Sequence, residues 1–490
     1  MLLSWLLTSI PTQATSEPIS TPKIQMQSAH STYMVEDSVQ PHDQSYAASL
    51  PPLVLVLPFV MLLLMIATGP LLYVQFWHRY YPVVVATLAS VVVTYYLWAL
   101  QDWGSLAIAF MEYIQFMALI TALYVTAGSI LITLHQSATP GANVGLLFVG
   151  AMMANLIGTT GASMLLIRPY IKANKSRIQV YHIVFFIFIV SNVGGVLTPI
   201  GDPPLFLGFL SGVPFLWSLK HHLWPWLTAL GLLLSVFYYL EKRNYPEQVM
   251  AINSASERWI SFSGERHLIW FIIIIGVVFI DPHLIHGVPS LSIGTHACSF
   301  VRELILFGIA GLAYYGADPH VLRKNAFSMV PLNEVAILFV GLFFTMIPAL
   351  QWVAAMAHSP VGRNLITHNT LYWSTGILSS VLDNAPTYLN FSAASMATKG
   401  ADIAIMHEVQ HFALGGVYEG SVLQLKAISV AAVFFGAMTY IGNGPNLMVK
   451  AIAAHEGVRM PTFFAYLGKF SIPILLPILS LIWVLFFAFA

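Results

Sequence analysis

Charged side chains are scarce in this sequence. Only 8% of the 490 residues are Asp, Glu, Lys or Arg, whereas 58% are hydrophobic; soluble domains carry roughly 25% charged residues. The formal net charge is zero and no acidic or basic block stands out, so nothing in the chain suggests binding to nucleic acid. The chain is therefore expected to lie in a lipid bilayer and to find its partners there.

Two further absences narrow the function. The single cysteine, Cys298, excludes an intramolecular disulfide and a cysteine-based metal cluster. The phosphate-binding pattern G-x-x-x-x-G-K-[ST] does not occur, which argues against a pump driven directly by ATP. We expect coupling to an ion gradient, with no cofactor.

Long apolar runs predict an all-α integral membrane protein, since a spanning helix needs about 20 apolar residues. We place about ten spans at 52–77, 82–101, 106–134, 178–213, 223–240, 267–285, 302–317, 333–352, 427–453 and 467–490. Segments 141–171 and 370–397 have polar centres between apolar arms too short to cross alone. They predict re-entrant hairpins, which need a tip buried in protein or facing water; an ordinary span is the alternative for each.

Lys and Arg gather in the loops of one side, such as those holding Lys172 and Lys242. The positive-inside rule makes this side cytoplasmic and places the N-terminus outside, in what we expect to be a bacterial inner membrane. Residues 1–50 are then an external tail rich in Ser, Pro, Gln and Thr. Its opening, MLLSWLLTSIPTQA, is either a cleaved signal peptide or a short anchor.

One predicted span interrupts itself, and its pattern returns later in the chain. Gly195-Val-Leu-Thr-Pro-Ile-Gly-Asp-Pro-Pro204 matches Gly436-Ala-Met-Thr-Tyr-Ile-Gly-Asn-Gly-Pro445. The hairpin centres NLIGTTGAS and SVLDNAPTY precede the two copies in corresponding places. Each half holds five spans and a hairpin, and an odd number of crossings inverts the second copy. The sequence thus predicts two inverted repeats, 51–250 and 260–490.

Together, G-x-x-T-P-I-G-D-P-P, L-D-N-A-P-T and T-Y-I-G-N-G-P-N resemble the ion transporter superfamily. Within it, the chain is most similar to the arm that holds NhaD-type sodium/proton antiporters and a related group named after citrate transport. The likeness covers about residues 82–490. It implies a homodimer with a scaffold domain and a transport domain that moves as an elevator. Dicarboxylate members carry Ser-Asn-Thr at the hairpin tips, and this chain departs from that pattern.

Broken helices near the middle of a membrane free backbone groups and helix ends for ion binding. Ionisable groups at that depth are costly and so are functional candidates, and a carboxylate there can exchange a proton for a hard cation. Capping of a half-helix by each aspartate is the structural alternative. The candidate ion-binding residues are Asn155, Thr159, Thr160, Thr198, Asp202, Asp383, Asn384, Thr387, Thr439 and Asn443.

One motif indicates a different class. His407-Glu408-Val-Gln-His411 is H-E-x-x-H, the zinc-binding pattern of metallopeptidases, and Glu419 would be the third ligand. The segment is short and lies in a chain with 17 histidines, so chance explains it well. A membrane metallopeptidase is a remote alternative.

The first functional hypothesis is a secondary transporter that exchanges external protons for internal sodium or lithium. The second is uptake of citrate or a related carboxylate coupled to sodium or protons. The expected partners are sodium ions, protons, possible carboxylate substrates and the lipid bilayer, and the only metal expected is the transported sodium.

Overall fold

The structure is a computed structural model that describes residues 50–134, 138–245, 260–280, 285, 288–289, 291–293, 296–325, 327–357 and 359–490. The predictions for the N-terminal tail and its leader concern residues outside this part of the chain, apart from Leu50.

The helices of the first half follow the predicted spans, except that the boundary between the first two lies at Tyr73 and not at 77–82. They are α1 (Leu57–Leu72), α2 (Val74–Tyr95), α3 (Trp103–Gly128), α4 (Pro140–Ala173), α5 (Val180–Ile189), α6 (Pro203–Ser211) and α7 (Trp217–Arg243). Short 3-10 turns occupy Leu53–Val56 and Val193–Leu197, and a π-helical turn, Tyr96–Leu100, continues α2.

The second half continues the all-α architecture. Its helices are α8 (Leu268–Val278), α9 (Val301–Tyr315), α10 (Pro319–Lys324), α11 (Val330–Ala357), α12 (Pro360–Leu365), α13 (His368–Ser379), α14 (Asn384–Thr398), α15 (Met406–Leu414), α16 (Ser421–Phe435), α17 (Gly444–His455), α18 (Phe463–Tyr466) and α19 (Leu476–Phe486). Glu265–His267 and Gly436–Met438 are 3-10 turns, and Leu467–Leu475 is π-helical.

The predicted all-α membrane fold is confirmed. Within the described residues, eight helical segments are long and apolar enough to cross a membrane. One of the eight is α4, which the sequence predicts as a hairpin, so seven match predicted spans. The other three predicted spans correspond to shorter helices: α1 with 16 residues, α8 with 11 and α9 with 15. These helices are the weakest part of the predicted count of about ten.

Helix α4 satisfies the length criterion for a span, yet it folds back on itself. Gly158 has φ 77° and ψ 153°, a conformation outside the helical region. A straight helix of 34 residues would be roughly 51 Å long, but the Ala138 amide donates to the Ala173 carbonyl at 3.0 Å. Both ends of the segment therefore meet, and the first re-entrant hairpin is confirmed.

The second hairpin consists of α13 and α14, joined by a turn at 380–383. Ile366, which precedes α13, packs against a buried cluster that includes Ala394 and Ala397 at the far end of α14 as well as Ala357 of α11. Helices α13 and α14 also pack against each other, so this segment folds back on itself as the first hairpin does.

The predicted span 106–134 is too long. Helix α3 ends at Gly128, and Leu131–Leu134 forms β1, which pairs antiparallel with β2 (Ile260–Ser263). The β-branched Ile132 and Thr133 suit an extended backbone better than a helix. A second small pair joins β3 (Leu291–Ile293) to β4 (His296–Cys298).

Burial separates central from peripheral segments. In the segments that hold the two backbone breaks, 94% of the Val180–Leu197 window and 83% of the Ser421–Met438 window are buried, against 22% for Val74–Leu100. Irregular backbone at membrane depth is tolerated only where protein or a cavity surrounds it. The two broken segments accordingly form the centre of the molecule.

A buried ionic cluster ties the first hairpin to its neighbours. The Glu241 carboxylate at the end of α7 is fully buried and lies 2.6 Å from Arg177 Nη1 and 3.0 Å from His182 Nε2. It also accepts hydrogen bonds of 2.6 Å from Asn143 Nδ2 and the Tyr181 hydroxyl. One carboxylate thus joins α4, α5 and α7.

Glu241→Gln is expected to lower the free energy of unfolding by roughly 3–5 kcal/mol, because it leaves the buried Arg177 cation without its counter-charge. Chemical unfolding of the detergent-solubilised protein measures this change. Glu265→Gln is the matched control, since that side chain is exposed. Equal stability of the two variants would show that the cluster contributes little.

Candidate functional site

The first broken segment places non-helical backbone and one buried carboxylate, Asp202, at the centre of the protein. After α5, a 3-10 turn ends at Leu197, and the extended residues Thr198 and Asp202 flank a turn at 199–201. Pro203 and Pro204 then start α6, where prolines suit the first turn because its amides lack helical partners. Asp202 occupies the N-cap position, but its side chain makes no capping hydrogen bond.

The second broken segment repeats this geometry. Helix α16 passes through a 3-10 turn into an extended Thr439, and Asn443 precedes α17 without capping it. The Thr198 hydroxyl accepts the Gly201 amide at 3.2 Å, and the Thr439 hydroxyl accepts the Gly442 amide at 3.3 Å. The matched motifs therefore form matched turns.

Each turn is tied to the hairpin of its own half. The Thr198 hydroxyl donates to the Asn155 carbonyl at 2.5 Å, and the Thr439 hydroxyl donates to the Ser380 carbonyl at 2.5 Å. The Asn155 side chain also accepts the Leu197 amide at 2.9 Å. These contacts fix the hairpin tips against the breaks.

Asp202 is the hub at which the four segments meet. Its Oδ1 accepts hydrogen bonds from the Thr159 hydroxyl at 2.9 Å and from Asn443 Nδ2 at 3.1 Å, and its Oδ2 accepts one from Asn384 Nδ2 at 2.6 Å. One donor comes from each hairpin tip and one from the other broken segment. Asp202 is only 1% exposed.

The electrostatics of this hub are unusual, because all its hydrogen-bond donors are neutral. In the part of the chain that the structure describes, no Lys, Arg or His forms an ion pair with Asp202. Burying an uncompensated negative charge is expensive. The site therefore requires a proton or a cation to balance Asp202.

A small cavity adjoins the carboxylate. It has a volume of about 30 Å³ and is lined by Thr159, Thr160 and Asp202 together with apolar side chains of α3, among them Leu119 and Leu123. The buried Asn384 Oδ1 has no hydrogen-bond partner among the described residues. Carboxylate, hydroxyl and amide oxygens are the ligands that hard cations prefer.

Asparagines extend the network behind Asp202. Asn443 Nδ2 also lies within hydrogen-bond distance of the Ser191 carbonyl and Asn192 Oδ1, at 3.1 and 3.2 Å. Asn192 Nδ2 in turn donates to Asn446 Oδ1 at 2.7 Å. The sequence analysis missed Asn192 and Asn446 as site residues; amides inside otherwise apolar spans are the signal that could have found them.

The predicted site residues fall into two groups. Thr159, Asp202, Asn384 and Asn443 come together around one carboxylate, and Thr160 lines the adjoining cavity. The others make local contacts within their turns and hairpins: Asn155, Thr198, Asp383, Thr387 and Thr439.

Asp383 illustrates the second group. Its Oδ1 accepts the Ala385 amide at 3.1 Å and so caps α14, and its carbonyl accepts the Thr387 hydroxyl at 2.9 Å. The capping role that the sequence allowed for both aspartates thus describes Asp383 and not Asp202.

The H-E-x-x-H motif lies on α15. The rings of His407 and His411 are 4.3 Å apart between centroids, but Glu408 Oε2 accepts the Asp402 amide at 2.6 Å. No group of three or more potential metal ligands occurs within the described ranges of the chain. The geometry gives no support to the metallopeptidase alternative.

A helical membrane fold with a buried polar site at two broken segments is typical of integral membrane transporters. The sequence profile of the family described as "Putative citrate transport" matches residues 48–487, and the chain belongs to that family. This confirms the resemblance to the citrate-transporter group of the ion transporter superfamily. None of the curated proteins compared with the chain matches it.

Asn443→Asp is expected to move the pH dependence of transport to higher pH. The new carboxylate would lie within hydrogen-bond distance of Asp202 Oδ1, where Asn443 Nδ2 now lies at 3.1 Å. Two adjacent carboxylates hold a shared proton more tightly than one does, so any transport step that needs a deprotonated Asp202 occurs only at higher pH. Transport measured against pH tests this shift.

The matched control for that experiment is Asn244→Asp, which makes the same chemical change at the exposed end of α7. An unshifted profile in Asn443→Asp would mean that Asp202 does not titrate during transport.

Proposed function

We propose that the protein is a secondary antiporter that exchanges protons for sodium or lithium ions, with Asp202 as the group that binds either one. The observation that carries this proposal is the buried Asp202 carboxylate, which has three neutral hydrogen-bond donors and no ion-pair partner among the described residues. A proton or a small cation balances that charge, whereas an anion would add to it.

The size of the adjoining cavity favours the same substrate class. A volume of about 30 Å³ is enough for one water-sized particle. Thr159 and Thr160, which line the cavity, add hydroxyl oxygens near the carboxylate. Binding of the cation therefore requires loss of the proton from Asp202, which couples the two fluxes in opposite directions.

The second candidate is uptake of citrate or a related carboxylate coupled to sodium or protons. The family description favours it. The N-termini of α6, α14 and α17 lie at the breaks and the second hairpin tip, and helix N-termini attract anions. In this case the cation at Asp202 would neutralise the site before the carboxylate binds.

Purified protein in sealed vesicles distinguishes the two candidates. We expect a sodium or lithium gradient to change the internal pH in the absence of any carboxylate, and we expect Asp202→Asn vesicles to show no such change. Labelled citrate is the competing substrate. Citrate uptake without sodium/proton exchange would overturn the antiporter proposal in favour of the second candidate.

We further propose a bacterial inner membrane with the N-terminus outside. In a Cys298→Ala background, a cysteine at the exposed Lys175 or Lys324 should react with an impermeant reagent only from the cytoplasmic side. A cysteine at the exposed Lys399 should react only from outside. The reverse pattern would invert the orientation.

The inverted repeats stay a prediction of the sequence, and the homodimer and the elevator movement stay expectations from the family resemblance. Equal accessibility of Lys175 and Lys399 from one side would contradict the inverted repeat, because these positions follow corresponding hairpins.

A further inference from the structure

A row of polar side chains leads away from Asp202 along one face of α14. Asn384, Tyr388, Ser392 and Ser395 are spaced by four, four and three residues, which places them on the same side of a helix. All four are nearly or fully buried. At a rise of about 1.5 Å per residue, the row spans roughly 16 Å, about half of a hydrocarbon core of roughly 30 Å.

Helix α16 runs antiparallel to α14 and adds two side chains to the same row. Ser429 lies beside Tyr388, at the end nearer Asp202. Nearer the surface, the Ser395 hydroxyl donates to Gln424 Oε1 at 3.0 Å. Gln424 is one turn from Gly420, which is exposed. We call these six side chains the polar row: Asn384, Tyr388, Ser392, Ser395, Gln424 and Ser429.

Part of the polar row lacks hydrogen bonds to the backbone. Within the described residues, Asn384 Oδ1 has no hydrogen-bond partner, and Ser392 Oγ interacts only with the Tyr388 hydroxyl. Tyr388 and Ser392 line a cavity of about 10 Å³ between α6 and α14, close to the size that one water molecule needs. Buried hydroxyls that only pack two helices together normally bond to the backbone of their own helix. Ser429 does so, since it donates to the Leu425 carbonyl at 2.7 Å, whereas Ser392 does not.

We propose that the polar row is the route by which protons reach Asp202 from the surface at which α14 ends. A water molecule at that surface gives up a proton, and each hydroxyl accepts one proton while releasing its own. Asn384 lies at the inner end, where its Nδ2 donates to Asp202 Oδ2 at 2.6 Å and its Oδ1 has no partner among the described residues. It accepts a proton at Oδ1 and gives one from Nδ2 to the Asp202 carboxylate, which leaves Asn384 as the imidic acid. Transfer of the Oδ1 proton to the nitrogen through water restores the amide, so the net result is one proton on Asp202.

This inference deepens the proposed function, since it supplies the proton of the exchange. It differs from that proposal in one respect: it concerns the rate at which Asp202 is protonated, whatever the transported substrate is. A direct measurement of that rate therefore separates the two.

The experiment follows protonation of Asp202 by time-resolved infrared spectroscopy after a pH jump, using the carboxylic-acid band that is absent in Asp202→Asn. Ser392→Ala and Tyr388→Phe each remove one hydroxyl and little volume. Each variant should slow protonation about tenfold or more, because a positioned proton carrier contributes two orders of magnitude or more to a transfer. The band amplitude at equilibrium should stay as in the wild type, which shows that the site is folded.

Ser480→Ala is the matched control. It removes a hydroxyl that donates to the Leu476 carbonyl of its own helix, and it should leave the rate unchanged. Wild-type rates in both Ser392→Ala and Tyr388→Phe would overturn the inference even if sodium/proton exchange is observed. Slower protonation in these variants, in a protein that exchanges no sodium, would uphold the inference and reject the proposed function.

Discussion

Asp202→Asn is expected to abolish proton-coupled cation transport while leaving a folded protein in the membrane. The amide keeps the shape of the side chain and one acceptor oxygen, but it has no negative charge and does not titrate. Asp202 has no ion-pair partner among the described residues. Its negative charge is therefore the group that would attract and bind a cation. Sodium-driven pH change should fall to the level of vesicles without protein.

The fold should tolerate this change because the hydrogen bonds can rearrange. The new amide nitrogen would face Asn384 Nδ2, which now donates to Asp202 Oδ2 at 2.6 Å. Asn384 Oδ1 has no partner in the described residues, so a half-turn of the Asn384 amide presents an acceptor instead. We therefore expect a change in unfolding free energy of less than about 1 kcal/mol, the typical net value of one hydrogen bond.

Asp318→Asn is the matched control, because Asp318 Oδ1 caps α10 at the exposed His320 amide and lies outside the site. Asp383→Asn tests the second aspartate. Asn caps helices as well as Asp does, so if capping α14 is the role of Asp383, this variant keeps its activity. A wild-type pH profile in Asp202→Asn would show that Asp202 does not titrate during transport and that the broken segment is only a structural kink.

Gly201→Ala is expected to prevent the first break from forming and to eliminate transport together with folding. A Cβ at this position would lie 2.0 Å from the Gly195 carbonyl oxygen. The backbone fixes the positions of both atoms, so no side-chain rotation relieves the clash. Gly201 also donates to the Thr198 carbonyl and accepts the Thr159 amide. Overpacking costs about 1–3 kcal/mol where a core can adjust, and we expect more here.

The measurement is the yield of monodisperse protein and its unfolding temperature in detergent. Gly231→Ala is the control, because a Cβ there meets no atom within 4 Å and Ala favours a helix interior over Gly. Its stability should equal or exceed that of the wild type. A Gly201→Ala protein with unchanged yield and stability would contradict the close backbone approach at the first break.

Local sequence determined the membrane fold, the positions of both hairpins and the two breaks. Apolar run length reports membrane insertion directly, and glycine, proline and polar clusters interrupt helices through short-range sterics. The same reasoning did not predict that α3 ends at Gly128 or that β1 follows it. Strand β1 exists through its pairing with β2, more than 120 residues later in the chain, and apolar content alone does not distinguish a strand from the end of a helix.

Only the tertiary structure decided which polar side chains form the site. Thr159, Asn384 and Asn443 reach Asp202 across separations of 43, 182 and 241 residues. Asp383, adjacent to Asn384 in sequence, instead caps α14. The sequence predicted all of these residues as site candidates because each is a polar residue within an apolar segment. Their hydrogen-bond partners depend on how separate hairpins and broken segments pack, and no local pattern contains that information.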